Sequence, residues 1–152
     1  MYSHQEASAI REEFWTNLGR YLSPIPSAGG NKLNWINYKT GIKNIHYKMD
    51  ADKKEAIARI EINGDAEMVA KLYNLFLSLK ITFEEYFKTG WNWVEKTTDV
   101  HGKIMACIYC SLSAVNIFKK EDWPQLISFF KKNIIAFDSF WTTHKEIFEM
   151  HT

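Results

Sequence analysis

Apolar residues recur at spacings of three and four from Ser3 to Leu22, at Ile10, Phe14, Trp15, Leu18, Tyr21 and Leu22. This is the period of an amphipathic helix. "SPIPSAGGNK", residues 23–32, ends it with two Pro and two Gly. The Gly-Gly-Asn-Lys run lacks the spacing of a phosphate-binding loop, and no apolar strand leads into it, so it reads as a connection. "KLNWINYKTGIK" reads as irregular chain or a short strand, ending in a turn at Thr40-Gly41.

The period then changes to two. Ile45, Tyr47 and Met49 alternate with His46, Lys48 and Asp50. After the charged stretch "DADKKE", Ala56, Ala58, Ile60 and Ile62 alternate with Ile57, Arg59 and Glu61. Two alternating runs around a polar turn predict a β-hairpin. Asn63-Gly64-Asp65 stops the second strand, and Asp65 can cap a following helix by accepting its orphan N–H groups. Met68, Val69, Leu72, Leu75, Phe76, Leu79, Phe83 and Phe87 predict one helix, ended by Thr89-Gly90.

"WNWVEKTTDVHGKIMACIYCSL" predicts a second hairpin with its turn near Asp99 to Gly102. Ile104, Ala106, Ile108, Cys110 and Leu112 form one face of its second strand, and Met105, Cys107 and Tyr109 the other. A last helix follows, with Asp122 as its expected cap. Pro124 is accommodated in its first turn, where an N–H would have no partner. Leu126, Ile127, Phe130, Ile134, Phe137, Phe140, Trp141, Ile147 and Phe148 are its expected buried side.

The order α-ββ-α-ββ-α predicts an α+β fold: two layers, with helices mainly on one face of an antiparallel sheet of about four strands. At 152 residues the chain reads as a single domain, 1–152, large enough to hold a core without disulfides or metal. Six Trp, seven Tyr and ten Phe supply that core with large rings. A net charge of +1 removes any global field for nucleic acid. The N-terminus has no apolar signal region, and no run approaches the roughly 18 apolar residues of a membrane span. The expectation is a cytoplasmic protein with reduced cysteines and no membrane partner.

An open sheet face is where function would lie. His46, Lys48, Arg59 and Glu61 would share it with Asp50, joined from the second hairpin by Trp93, Tyr109 and Glu95. Rings that stack and bases that meet phosphate or carboxylate make it a candidate binding face. The plain alternative is a solvated face with cross-strand charge pairs. A nuclease would need clustered carboxylates for Mg²⁺, and only Asp50 and Glu61 stand near a lysine. "CIYC", residues 107–110, is half a zinc site at most. On a strand its two side chains point to opposite faces, so buried structural thiols are expected. The sequences HExxH, GxSxG and GxGxxG are absent. No metal or cofactor is expected. The doubled lysines Lys53-Lys54, Lys119-Lys120 and Lys131-Lys132 read as solubility groups.

"EFWTNLGRYLSPIPSAGGNKLNWINYKTGIKNIHYKMDAD", "WNW" and "IFKKEDWPQLISFFKKNIIAFDSFW" resemble the bacterial "domain of unknown function 4268" family, most closely its short, stand-alone members of the Bacteroidetes type. Phe14-Trp15, Asn34 to Gly41 and Glu121 to Phe130 carry most of the likeness. The resemblance implies no established activity. A similar domain follows a restriction-endonuclease-like domain in longer proteins, which implies a link to nucleic-acid transactions. The resulting expectation is a non-catalytic binding or interaction module whose partner is protein or nucleic acid. A nuclease-like enzyme and a homodimeric structural protein are the alternatives.

Overall fold

Ser3 Oγ accepts the Glu6 N–H at 3.1 Å and so starts α1, His4–Leu22. The computed structural model describes residues 2–88 and 90–152. After a long connection come strands β1, Ile45–Ala51, and β2, Glu55–Ile62. Asp52 builds their turn: its Oδ1 accepts the N–H groups of Lys54 and Glu55 at 2.7 and 2.9 Å. These donors hold the Asp52 carboxyl below its ordinary pKa. The Asp65 cap forms as expected, with Oδ1 accepting the Met68 N–H at 2.8 Å. It opens α2, Ala66–Ser78.

The second helix differs from expectation. It breaks at Leu79, whose φ of −105° and ψ of 11° leave the helical range, and resumes as α3, Lys80–Glu85. Ser78 Oγ donates to the Leu75 carbonyl at 2.6 Å there, a local bond that competes with the helical ladder. The break turns Phe83 onto Trp91, Trp93 and Phe140, with ring centres 5.0–5.5 Å apart. Of the expected stop at Thr89-Gly90, Thr89 lies outside the described residues.

Strands β3, Asn92–Thr98, and β4, Ile104–Ser113, form the second hairpin. Asp99 Oδ1 accepts from His101 and Lys103 in its turn, and Gly102 takes a φ of +79° that favours glycine. The sheet is antiparallel throughout, in the order β1-β2-β4-β3. A 3₁₀ turn, Lys120–Asp122, leads into α4, Trp123–Glu149. Asp122 stands at the helix boundary as expected, but its carboxylate does not cap. Its Oδ2 accepts the Asn116 N–H at 2.9 Å, which ties the entry loop instead.

Helices α2 and α4 pack on one sheet face, and α1 packs against α4. Ile45, Tyr47, Ala58, Ile60, Ile62, Ala106 and Ile108 are buried beneath them. Phe137, Phe140 and Trp141 of α4 are buried too, against Tyr47, Phe76 and Phe83. The connection 23–44 forms no strand. It is pinned by Trp35 Nε1 to the Ile25 carbonyl at 2.9 Å, Trp141 Nε1 to the Thr40 carbonyl at 2.8 Å, and Tyr38 Oη to Asp138 Oδ1 at 2.6 Å. Asp138 is only 4% exposed, and its other oxygen accepts the Ala28 N–H. A buried carboxylate is stable only when donors surround it in this way.

Candidate functional site: the open sheet face

Period two in β1 and β2 runs unbroken, and the ladder pairs Ile45 with Ile62, His46 with Glu61, and Lys48 with Arg59. His46, Lys48, Arg59 and Glu61 therefore share the face away from the helices, opposite Ile45, Tyr47, Ile60 and Ile62. A one-residue slip would bury the four charged or polar groups, which no unpaired core can hold. Next along the sheet, Arg59 pairs with Tyr109 and Glu61 with Cys107. Tyr109 thus joins the same face.

Trp93 does not. It pairs with Ile108 and lies on the helix side, between Tyr73 and Phe83, with Lys80 Nζ 5.5 Å from its ring centre. The cause is a bulge. Thr97 pairs with Met105 while Val94 pairs with Cys107, so two residues of β3 span one residue of β4. A regular hairpin counted back from Thr98 and Ile104 would set Trp93 opposite Tyr109. The extra residue shifts the register by one and reverses the face. Val94 and Asn92 take the place expected of Trp93, and Glu95 falls within the bulge.

The face has two halves. On β1 and β2 it carries His46, Lys48, Asp50, Arg59 and Glu61. On β3 and β4 it carries Val94, Met105 and Tyr109, partly buried, and the buried Cys107, all neutral. Arg59 Nε donates to Glu61 Oε2 at 2.6 Å along the same strand, both side chains being largely shielded. Lys48 stands directly across the ladder from Arg59, and among the described residues it makes no ion pair. Burial raises the Cys107 thiol pKa to about 11, so it is a neutral thiol and not a nucleophile at neutral pH. Cys110 lies on the helix side and is pushed by burial to about 12. Both cysteines are free.

Asp50 and Glu61 do not converge. Asp50 pairs with Ile57 and Glu61 with His46, so four residues of strand, about 13 Å, separate their positions. No group of three or more His, Cys, Asp or Glu suited to a metal occurs among the described residues. No helix among them is long and apolar enough to cross a membrane.

At the outer edge of β1 an open cavity of about 250 Å³ adjoins this face. Lys39, Lys43, His46 and Lys48 line it, and no acid does. Lys39 and Lys43 were not singled out by sequence reasoning. Their spacing around the Thr40-Gly41 turn is the signal that could have found them, since a turn before an edge strand brings its flanks to that edge.

The family model described as "Domain of unknown function (DUF4268)" matches residues 10–145. The chain belongs to that family. No curated protein and no solved structure matches it.

Proposed function

We propose that this member of the family is a non-catalytic interaction module that docks a protein partner on its open sheet face. The observation that carries the reading is the pair Lys48 and Arg59. Like charges directly opposite in a ladder are unfavourable, and here they sit on a face whose other half is neutral and partly apolar. A local conflict of this kind marks a surface built for something other than its own stability. A partner carboxylate would resolve it. Arg, Tyr and Met beside an apolar strip match the composition of protein interfaces.

Two features speak against the nucleic-acid reading. Asp50 and Glu61 offset Lys48 and Arg59 on the face, which confines the uncompensated cations to the edge cavity, and the chain as a whole carries a net charge of +1, whereas a nucleic-acid groove needs cations spread along the track of a phosphate backbone. The separation of Asp50 from Glu61, and the engagement of Glu61 by Arg59, speak against a nuclease. The test is the double variant Lys48→Glu/Arg59→Glu. It should keep its fold and lose its protein partner, while the parent protein leaves a labelled 20-nucleotide single strand unbound at physiological salt. Tight oligonucleotide binding, or a Mg²⁺-dependent nuclease activity removed by Glu61→Gln, would overturn the proposal.

A further inference from the structure

The register fixes which backbone groups of β1 are free. Asn63 N–H donates to the Asn44 carbonyl and Asp52 N–H to the Glu55 carbonyl, one at each end of the β1–β2 ladder. Antiparallel pairs alternate, so His46, Lys48 and Asp50 exchange hydrogen bonds with β2. The N–H and C=O groups of Ile45, Tyr47, Met49 and Ala51 then point to the outer edge. The two ends of that edge are covered. Ile45 donates to the Ile42 carbonyl and accepts from Thr40 Oγ1, and the Ala51 carbonyl accepts from Arg11 at 2.6 Å. Tyr47 and Met49 are left with four backbone groups that have no partner among the described residues.

The other edge of the sheet, β3, is blunted by its bulge, a common protection against strand pairing. The β1 edge has no bulge. The basic cavity opens beside its free part.

We propose that the free edge of β1 at Tyr47 and Met49 takes an extended acidic segment of a partner protein as an added strand, with the segment's carboxylates meeting Lys48, Lys39 and Lys43. The alternating N–H and C=O groups select a polypeptide in extended form, since each is matched by a strand and only half by a phosphate chain. The lysines select acid. A second copy of this chain is disfavoured by the same register. Pairing Tyr47 with Met49 of a two-fold mate would set Lys48 opposite Lys48, a like-charge contact. Other registers run into the covered Ile45 and Ala51. The inference rests on the reading of the domain as a binding module, but it uses the edge and not the Tyr109 half of the face.

The test is selection of a 12-residue peptide display library on the 152-residue chain. The best peptide is then measured by fluorescence anisotropy, and amide exchange is followed. Recovered peptides should carry Asp or Glu and lack Pro at their centre. Affinity should fall at least about tenfold with Lys48→Glu and with Met49→Pro, and less than about twofold with Tyr109→Ala. An edge position whose N–H faces outward accommodates Pro; should Met49→Pro fail to fold, Lys39→Glu/Lys43→Glu takes its place and should show the same loss. The amides of Tyr47 and Met49 should gain protection. Recovery of no peptide, peptides indifferent to the edge variants, unprotected Tyr47 and Met49 amides, or a dimer abolished by Met49→Pro would each overturn the proposal. Loss with Tyr109→Ala alone would return the binding to the sheet face and leave the edge without a role.

Discussion

Lys48 faces Arg59 across the β1–β2 ladder, and Arg59 turns along its own strand to Glu61 at 2.6 Å. The guanidinium is thereby paired with an acid, whereas Lys48 makes no ion pair among the described residues. Lys48→Glu should therefore stabilise the isolated domain by a few tenths of a kcal/mol, the scale of an exposed cross-strand pair. Denaturant unfolding checks the sign. A clear loss of stability would mean that Lys48 already has a partner within the fold.

Tyr38 and Asp138 join the connection 23–44 to α4 through a 2.6 Å bond. Burial, followed by that bond and the Asp138 charge, holds the Tyr38 hydroxyl far above its ordinary pKa, so it stays a donor. Tyr38→Phe leaves one oxygen of a buried carboxylate without its donor and should cost about 1–3 kcal/mol. Proteolysis should then cut first between residues 23 and 44. Unchanged stability would show that another group takes over the Asp138 oxygen.

The thiols predict a pH dependence. Cys107 and Cys110 bind their protons more tightly folded than unfolded, with folded values of about 11 and about 12 against roughly 8.5 for an exposed thiol. Above the unfolded value the unfolded state has lost protons that the folded state keeps. Stability should fall as pH rises from about 9 toward the folded values. Replacing both residues by Ser should flatten that fall, as read from melting temperatures at pH 8 to 10.5. The buried Tyr47, also raised chiefly by burial, adds to the slope above pH 10. Thiol reagents should label the native protein slowly at pH 7.5.

The first hairpin was legible because its alternation runs unbroken on both sides of a turn whose Asp52 carboxylate accepts two of its N–H groups. Its register, and with it the shared face of His46, Lys48, Arg59 and Glu61, followed from what a core can bury. Trp93 was misplaced because a bulge leaves period two locally intact while shifting the pairing by one residue. The break at Leu79 was hidden because the apolar stripe continues through it. Asp138, a lone acid among Phe137, Phe140 and Trp141, was not singled out from the sequence. Its partners Tyr38 and Ala28 lie about a hundred residues away and carry no local signal. The edge cavity depends on the same kind of long-range docking, of residues 37–43 against β1.

Site-specific photo-crosslinking in producing cells tests the central claim most directly. A benzophenone side chain placed at Tyr109, on the open face, is compared with one at Leu77, exposed on α2. The account predicts one discrete crosslinked protein from position 109, absent from position 77, and lost when Lys48→Glu/Arg59→Glu is added. Equal crosslinking from both positions, a crosslink indifferent to the charge reversal, or a crosslinked species made only of two copies of this chain would contradict it.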